Sequence, residues 1–299
     1  MRLPQPLYLD NLSLLKERYQ EFYEELFSCR LCPRLCGVDR TKGEKGFCRA
    51  PMDVVVDTVT PHFGEEPPLV GYGGSGTIFF SHCNLRCVFC QNYTISHLGE
   101  GELWTPRELC HAMLWLQERG CHNVNLVTPT HYLPQILKAL YMAAERGLFL
   151  PVVYNCGGYE SVGVIERLEG IVDIYMPDFK MKDAAASKEF LNAPDYFQVA
   201  LGAICEMSRQ VGSSLEVEGR VAKMGLLIRH LVMPGMADDG CAVMEAIAKD
   251  MGAGATVNVM AQYRPLYRAR EFPLISRMPT VEEVARVRKR AEDLGLSLV

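Results

Sequence analysis

The 299-residue sequence contains no uninterrupted apolar run of about 18 residues, the length at which a helix can span a bilayer. Its start also lacks the charged stretch followed by an apolar stretch that marks a secretory signal peptide. These absences predict a cytoplasmic protein with no membrane partner, in a compartment that keeps thiols reduced. The twelve cysteines are therefore expected to serve metal sites or core packing rather than disulfides.

A basic stripe, the electrostatic footprint of a nucleic-acid-binding surface, is also missing. Lysine, arginine, aspartate and glutamate are interspersed along the chain, and the formal net charge is −5. We therefore expect neither DNA nor RNA as a partner. Low-complexity segments and internal repeats are absent as well, so the 48% of hydrophobic residues are expected to build one large core.

Three cysteines do stand out, because Cys83, Cys87 and Cys90 follow an apolar stretch at the spacing C-x3-C-x2-C. A cubane iron–sulfur cluster usually takes four thiolates, one for each iron. A loop that offers three leaves one iron open to an exogenous ligand. The spacing thus predicts a 4Fe-4S cluster at which chemistry takes place.

Other interpretations of this loop remain open. Cys87 and Cys90 alone match a thioredoxin-like C-x-x-C pair, which has no use for Cys83. Zinc held by the three thiolates and His82 is a second alternative, although the adjacent His82 and Cys83 would have to form an awkward chelate. Buried cysteines without a ligand are the third.

The run from Cys83 to Asn92, with Phe89 before the third cysteine, resembles the cluster loop of radical S-adenosylmethionine (radical SAM) enzymes. More narrowly, it resembles pyruvate formate-lyase activating enzymes and their uncharacterised relatives. The resemblance implies an oxidoreductase of anaerobic chemistry that reductively cleaves S-adenosylmethionine to a 5′-deoxyadenosyl radical. That radical abstracts hydrogen from a substrate.

The same resemblance implies two kinds of partner. One is a reductant such as flavodoxin or ferredoxin, and the other is a protein substrate, namely a glycyl radical enzyme. Radical modification of a small molecule or peptide is an alternative function. A non-catalytic iron–sulfur or zinc protein for electron transfer or interaction is another.

A second cysteine set, Cys29, Cys32, Cys36 and Cys48, has the spacing C-x2-C-x3-C-x11-C. Four thiolates close a tetrahedral site, and the intervening glycines and proline allow the tight turns of a small metal-folded segment. Zinc and a second 4Fe-4S cluster both fit four thiolates. A similar cysteine set is found in the uncharacterised relatives named above.

From residue 77 onward, short apolar runs alternate with amphipathic segments, which predicts βα units and a parallel sheet. Capping boxes at Thr105 and Thr280 predict helix starts, and the glycine-rich run 71–76 predicts a turn before a strand. The expected division is an N-terminal metal segment, 1–70, and a catalytic domain, 71–299. The radical SAM resemblance implies a partial (β/α)6 TIM-like barrel. The six predicted strands cover residues 77–80, 123–127, 151–154, 171–176, 225–232 and 256–260.

Ligands of such sheets bind at the carboxyl ends of the strands. The resemblance implies that the backbone at Thr128 receives the methionine amino group and that Asn155 contacts the cofactor. A turn role for Asn155 is the alternative. His131 is expected either to act as an acid or base or, more simply, to start a helix.

Further along, the resemblance implies that Lys180 pairs with the methionine carboxylate. Asp178 would balance Lys180 or hold a monovalent cation, and a surface ion pair is the alternative. Arg229 inside an apolar strand needs a partner, which the resemblance supplies as the cofactor carboxylate or ribose. Gln262 is expected to meet the adenosine or to close the barrel end, and Phe89 is expected to insulate the cofactor.

Overall fold

Parallel strands and the helices that connect them dominate the computed structural model, which describes residues 5–299. The strands are β1 (Val54–His62), β2 (Ser75–Phe80), β3 (Glu102–Trp104), β4 (Val124–Val127), β5 (Val152–Cys156), β6 (Ile174–Pro177), β7 (Leu215–Glu218), β8 (Val221–Leu226), β9 (Ile228–Leu231), β10 (Thr256–Met260) and β11 (Ser297–Leu298). The helices are α1 (Leu7–Asp10), α2 (Leu12–Glu24), α3 (Pro67–Val70), α4 (Pro106–Glu118), α5 (Leu133–Ala144), α6 (Val162–Glu166), α7 (Ala184–Leu191), α8 (Tyr196–Val211), α9 (Ala237–Met251) and α10 (Val281–Asp293).

An eight-stranded sheet has the order β3-β1-β2-β4-β5-β6-β8-β7, and a three-stranded sheet has the order β11-β10-β9. The neighbours from β2 through β8 are parallel, whereas β1, β3 and β7 add antiparallel edges. The two sheets meet where β8 is followed by β9, and Asp178 after β6 bridges to Arg229 of β9. The carboxyl ends of the parallel strands thus face one region.

The prediction of a mixed α/β fold is confirmed, and each predicted strand overlaps an observed one. The predicted strand 225–232 is divided at Leu227 between β8 and β9. The reason is that β8 pairs with β6 while β9 pairs with β10. The strands β3, β7 and β11 were not predicted, because they are two to four residues long and largely exposed.

Both predicted helix starts are confirmed. Thr105 and Glu108 form a reciprocal capping box at the start of α4, and Thr280 and Glu283 form one at the start of α10. Each capping box satisfies backbone N–H groups that a helix start otherwise leaves free.

The first residues of the glycine-rich run make the predicted turn, but Ser75 and Gly76 already belong to β2. A Cβ atom on Gly73 would lie 1.8 Å from the carbonyl oxygen of Gly120, so only glycine fits at this close approach.

The helices between the strands pack on the sheet and enclose a core that includes Phe80, Tyr154, Tyr175 and Ile228. Within residues 5–299, none of the helices combines the length and the apolar character that crossing a bilayer requires.

Candidate active site

Cys83, Cys87 and Cys90 lie on the wall of one cavity of about 150 Å³, at the carboxyl end of β2. The residues that follow or end β4, β5 and β6 also line this cavity. The lining residues are Phe80, His82, Cys83, Leu85, Cys87, Cys90, Asn92, Ile95, Ser96, Val127, Thr128, Asn155, Cys156, Gly157, Asp178, Lys180 and Arg229. The fold therefore brings the cysteine loop and four strand ends together.

The backbone of the cysteine loop is unusual at two positions. His82 has a φ of 72° and Arg86 a φ of 60°, in the left-handed region that non-glycine residues seldom adopt. Polar donors contact two of the sulfurs. The backbone N–H of Leu85 lies 3.4 Å from Cys83 Sγ, and the hydroxyl of Ser96 lies 3.1 Å from Cys90 Sγ. Such donors stabilise negative charge on a sulfur and tune a bound metal group.

Three side-chain hydrogen bonds hold the loop in place. Asn84 donates a 2.7 Å hydrogen bond to the carbonyl of Tyr159, and Asn192 donates a 3.0 Å bond to the carbonyl of Arg86. His97 Nε2 lies 2.9 Å from the carbonyl oxygen of Cys87. The loop is thus fixed by contacts to separate parts of the chain.

Burial raises the pKa of the Cys87 thiol far above its usual range. The nearby charge of Lys180 lowers this pKa in part, whereas Cys83 and Cys90 raise it further. A metal group that binds here must displace the thiol proton, as thiolate ligation requires.

A group of largely buried charges lines the same cavity. Lys180 Nζ lies 2.5 Å from Asp178 Oδ2, and Arg229 Nε lies 2.9 Å from Asp178 Oδ1. Arg229 also donates a 2.8 Å hydrogen bond to Asn155 Oδ1. Burial opposes ionisation of Asp178, but Arg229 and Lys180 overcome it and hold the pKa of this carboxyl below its usual value. For Lys180, burial is likewise outweighed by Asp178, so its pKa is raised. Both groups are ionised at neutral pH.

Two glutamates complete this charge group from the far side of Arg229. Glu65 and Glu66 approach Arg229 Nη1 at 4.0 and 3.8 Å. Burial raises the pKa of Glu65 to about 7, Arg229 lowers it in part, and Glu66 raises it again. Neither glutamate stood out in the sequence, since the loop that carries them reaches Arg229 only through the tertiary fold. The adjacent Pro67 and Pro68 were the only local signal of an ordered turn.

The predicted site residues fall into two groups. Thr128, Asn155, Asp178, Lys180 and Arg229 line the cavity together with the three cysteines. Thr128 has a φ of 60°, and its N–H donates to the carbonyl of Asn155 at 2.8 Å. The side chains of Asp178 and Lys180 are only 17% and 14% exposed, so the surface-pair alternative is wrong.

Phe89 and Gln262 lie outside this cavity lining. Phe89 is buried, with its ring 5.9 Å from that of Tyr263. Gln262 is exposed, and its carbonyl accepts a hydrogen bond from Gln91. Their predicted cofactor contacts have no counterpart in the cavity.

The contacts of His131 are those of a residue that stabilises the fold. It is buried in a short 3-10 turn before α5, and its Nε2 lies 2.7 Å from the carbonyl oxygen of Ser81. Burial lowers its pKa to about 3, so the ring is neutral. Its carbonyl accepts a hydrogen bond from the buried Arg40. These contacts agree with the helix-start alternative.

The N-terminal cysteines occupy turns that suit thiolate ligands. The N–H of Phe47 lies 3.4 Å from Cys36 Sγ, and the N–H of Ala50 lies 3.5 Å from Cys48 Sγ. Burial raises the pKa of Cys32, which is near enough to Cys48 and Cys29 for their charges to raise it further.

Within residues 5–299, no three His, Cys, Asp or Glu side chains come close enough together to hold one metal ion. The cysteines at positions 83–90 are therefore grouped by their shared cavity wall and by their order along one loop.

Arg34, between Cys32 and Cys36, connects the two cysteine sets. Its guanidinium donates hydrogen bonds to the carbonyls of Asn84 at 2.9 Å and Asn192 at 2.6 Å. It also lies 3.9 Å from the ring centroid of Phe47. The N-terminal segment thus packs directly on the cysteine loop.

A buried carboxyl lies near the N-terminal set. Glu160 is fully buried and accepts hydrogen bonds from Thr130 at 2.7 Å and Tyr154 at 3.1 Å. Burial raises its pKa to about 7, although Thr130, Tyr154 and Cys156 lower it in part. Its charge is near enough to Cys32 to raise the pKa of that thiol.

Two proteins of Methanocaldococcus jannaschii are similar to the chain in sequence. The uncharacterized protein MJ0674 is 34% identical over 284 residues, which cover 91% of this chain and 76% of that protein. The uncharacterized protein MJ0808 is 23% identical over 309 residues, which cover 93% of this chain and 83% of that protein. No protein-family profile matches the chain.

A solved structure, a radical SAM methyltransferase from Sphaerobacter thermophilus, is similar in fold. The superposition has a TM-score of 0.51 with 14% sequence identity and covers 75% of this chain. The chain spans 65% of the methyltransferase's own length. At this level of identity, the similarity shows a shared fold.

Proposed function

The chain belongs to the same family as the uncharacterized protein MJ0674 of Methanocaldococcus jannaschii, and we propose that it is a radical SAM enzyme. One observation carries this proposal. Three thiols of a C-x3-C-x2-C loop line one cavity together with the largely buried Lys180–Asp178 pair, in a fold shared with a radical SAM methyltransferase.

The residues present fit an iron–sulfur cluster that is ligated by three thiolates. Cys83 and Cys90 each have a polar donor on the sulfur, and the buried Cys87 has the cation of Lys180 nearby. When bound, the cluster supplies an electron for the reductive cleavage of S-adenosylmethionine to a 5′-deoxyadenosyl radical.

The remaining cavity residues bind and orient the cofactor. Lys180 presents a fixed positive charge to the methionine carboxylate, since Asp178 keeps it ionised despite burial. The backbone at Thr128 offers its carbonyl to the amino group. Apolar Leu85 and Ile95 restrict water, which strengthens these electrostatic contacts.

Arg229 acts in this site through the protein's own groups. Its hydrogen bonds to Asp178 and Asn155 fix two side chains of the cavity wall, so it is a positioning residue. Both oxygens of Asp178 are engaged by cations, which leaves little room for the monovalent cation that the resemblance implied there.

The parallel strands of the two sheets suit the partial (β/α)6 barrel of this superfamily. In our proposal the six barrel strands are β2, β4, β5, β6, the β8–β9 pair and β10. Residues 71–299 form the catalytic domain. The side of the barrel that the edge strands leave open would admit the substrate.

Residues 1–70 would then form an N-terminal segment with a metal site. We propose a second 4Fe-4S cluster at Cys29, Cys32, Cys36 and Cys48. Zinc is the alternative, and it would require these sulfurs to move together, since no three of them lie close enough to hold one ion among the described residues. N–H donors on two of the sulfurs support thiolate ligation. The contact of Arg34 with the loop residue Asn84 supports a role coupled to the active site.

For the substrate, the proposal is hydrogen abstraction by the deoxyadenosyl radical. The radical would abstract this hydrogen from a glycyl radical enzyme, which is then a protein substrate. A small molecule or peptide is the alternative substrate. Electron paramagnetic resonance of a candidate partner after incubation distinguishes them, because only the first leaves a protein-borne glycyl radical.

The experiment that tests the proposed function is the formation of 5′-deoxyadenosine from S-adenosylmethionine. The reconstituted protein, reduced with dithionite under anaerobic conditions, should form it, whereas Cys87→Ala should not. Cys205→Ala is the matched control, since Cys205 lies on α8 outside the cavity. A wild-type protein that binds a cluster but forms no 5′-deoxyadenosine would leave only the electron-transfer or interaction alternative.

A further inference from the structure

One arginine of the N-terminal segment is buried without a carboxylate partner. Arg40 is 1% exposed and begins a short 3-10 turn, Arg40–Lys42. Within residues 5–299, Arg40 takes part in no salt bridge. A buried positive charge is costly unless an anion lies near it, so an anionic group is expected beside this guanidinium.

Neutral groups bind the guanidinium. Nε of Arg40 donates a 3.2 Å hydrogen bond to the carbonyl of Pro51, and Nη2 donates to the same oxygen. Nη1 donates a 2.6 Å hydrogen bond to the carbonyl of His131, and the ring centroid of Tyr132 lies 5.6 Å from the guanidinium carbon. The carbonyls satisfy the N–H donors, but neither they nor the ring carry a net charge that would neutralise Arg40.

The carboxylates nearest to Arg40 in sequence are engaged elsewhere. Asp39 pairs with Lys42 at 2.7 Å, and the exposed Glu44 accepts a 2.9 Å hydrogen bond from the N–H of Asp39. Neither carboxylate forms an ion pair with the guanidinium. The counter-charge of Arg40 therefore has to come from another group.

Arg40 lies on the loop between Cys36 and Cys48 of the N-terminal set. The Pro51 carbonyl that binds its guanidinium directly follows Ala50 in the chain. The N–H of Ala50 lies 3.5 Å from Cys48 Sγ, so one short stretch of backbone contacts both the guanidinium and a cysteine sulfur. The positive charge is thus buried beside the N-terminal cysteine set.

A metal group at this set would be an anion. Four thiolates contribute four negative charges, whereas a zinc ion or an oxidised cubane core contributes two positive charges. The group is left with a net negative charge, and the low dielectric of a protein interior strengthens its attraction to a nearby cation. Such a group supplies the counter-charge that the carboxylates do not.

We infer that Arg40 is the buried counterion of the metal group held by Cys29, Cys32, Cys36 and Cys48. The inference rests on the N-terminal metal site of the proposed function and adds a residue that acts on this site through its charge. Arg40 is not a ligand, because a guanidinium has only donors and offers no lone pair to a metal. It stabilises the loaded set electrostatically.

The counterion is held in place by the catalytic domain. The carbonyl of His131 accepts the Nη1 hydrogen bond of Arg40, and the ring of His131 lies 2.7 Å from the carbonyl oxygen of Ser81. Ser81 precedes Cys83 of the active-site loop by two residues. The guanidinium is therefore fixed by residues outside the N-terminal segment, next to the start of the active-site loop.

The test compares Arg40→Gln with Arg40→Lys, which both remove guanidinium hydrogen bonds, although only Arg40→Gln removes the charge. The parent protein is the full-length chain with Cys83→Ala, Cys87→Ala and Cys90→Ala, in which only the N-terminal set can hold a cluster. Each protein is reconstituted anaerobically with iron and sulfide, and the loss of iron to EDTA is followed over time. A parallel loading with Zn²⁺ covers the zinc alternative.

We expect Arg40→Gln to lose its metal about tenfold or more faster than the parent, and Arg40→Lys to stay within about threefold of it. Arg30→Gln is the matched control, since Arg30 lies between Cys29 and Cys32 but is exposed, where water screens its charge. It should lose metal as slowly as the parent.

Equal rates of metal loss in Arg40→Gln and Arg40→Lys would overturn the inference and leave Arg40 with a hydrogen-bonding role only. If Arg40→Gln does not fold, the lysine variant decides, because a folded Arg40→Lys that loses its metal about tenfold faster than the parent would contradict a counterion role as well.

The redox state of the cluster gives a second readout. Reduction adds one negative charge to the group, so a cation beside it favours the reduced form. At the midpoint potential of the parent, the ratio of reduced to oxidised cluster should fall about tenfold in Arg40→Gln, which is equivalent to about 59 mV. Electron paramagnetic resonance in a redox titration measures this ratio, and an unchanged ratio in Arg40→Gln would contradict the inference.

Failure of this inference is distinguishable from failure of the proposed function. A parent protein that retains neither iron nor zinc would contradict the N-terminal metal site and the counterion together, whereas metal retained equally by the parent and Arg40→Gln would contradict the counterion alone. Neither result bears on the loop with Cys83, Cys87 and Cys90, whose test is 5′-deoxyadenosine formation by the chain with these cysteines intact.

Discussion

The guanidinium of Arg34 donates a 2.9 Å hydrogen bond to the carbonyl of Asn84, the residue that follows Cys83. A residue between two cysteines of the N-terminal set therefore holds the backbone of the active-site loop. The two cysteine sets are about 50 residues apart in sequence, yet they form one structural unit in the fold.

Arg34→Ala tests how strongly this unit depends on that contact. The change removes hydrogen bonds to two carbonyls and the packing on Phe47. We expect the free energy of unfolding to fall by about 2 kcal/mol, measured by urea denaturation. Arg30→Ala, at an exposed position of the same segment, should change it by less than about 0.5 kcal/mol. Equal effects of the two substitutions would contradict the role of Arg34.

Gly46→Ala tests the N-terminal metal site alone. A Cβ atom at position 46 would lie 2.8 Å from Cys36 Sγ, so this sulfur must move. We expect the variant to lose the metal of the N-terminal set and to keep the cluster of the loop, so that the metal content falls by the equivalent of one site. Gly163→Ala is the control, because its nearest neighbour would be 3.9 Å away. A full metal content in Gly46→Ala would show that Cys36 is not a ligand.

Lys180→Gln tests the proposed contact with the methionine carboxylate. Loss of a buried charge-assisted hydrogen bond should raise the Kd for S-adenosylmethionine by about 10- to 100-fold, measured by equilibrium binding to the reconstituted protein. Lys182→Gln changes an exposed lysine two residues away and should leave this Kd unchanged. An unchanged Kd in Lys180→Gln would place the carboxylate elsewhere.

Asp173 predicts a pH dependence of stability away from both cysteine sets. Its carboxylate accepts hydrogen bonds from the N–H groups of Leu7 and Val152, both at 2.8 Å, and burial raises its pKa to about 7. The folded state thus binds this proton more tightly than the unfolded state does. The resulting stabilisation is complete below about pH 4 and is lost as the pH rises through 7.

Urea unfolding at a series of pH values from about 5 to 8 measures this loss. The wild type should lose up to about 3 kcal/mol more over this range than Asp173→Asn, whose side chain does not titrate. The comparison uses only the slope of stability against pH. Asparagine lowers the stability at every pH, because its NH2 group is a donor and faces a backbone N–H where the carboxylate accepted a hydrogen bond. Parallel pH profiles would show that Asp173 has an ordinary pKa.

Local sequence patterns predicted the strands and helix starts that depend on residues close together in the chain. The alternation of apolar runs predicted six strands, each of which overlaps an observed one, and the Thr105 and Thr280 boxes predicted two helix starts. The short edge strands β3 and β7 carry mostly exposed residues and have no such pattern, so only their pairing partners create them.

The site residues that no sequence pattern indicated are brought to the site by tertiary contacts. Thr128, Asn155, Asp178, Lys180 and Arg229 meet at strand ends, as parallel strands require. Glu65 reaches Arg229 only because the loop before β2 folds toward the sheet interior, and Arg34 reaches Asn84 across two segments. Gln262 follows a strand as well, but the backbone after β10 leaves its side chain exposed.

The most direct test of the central claim is electron paramagnetic resonance of the reduced, reconstituted protein that carries Cys29→Ala and Cys32→Ala. Only the loop with Cys83, Cys87 and Cys90 can then hold a cluster. We predict the signal of a reduced 4Fe-4S cluster whose spectrum shifts when S-adenosylmethionine is added. A cluster signal that the cofactor leaves unchanged, or no cluster at these three cysteines, would contradict the account.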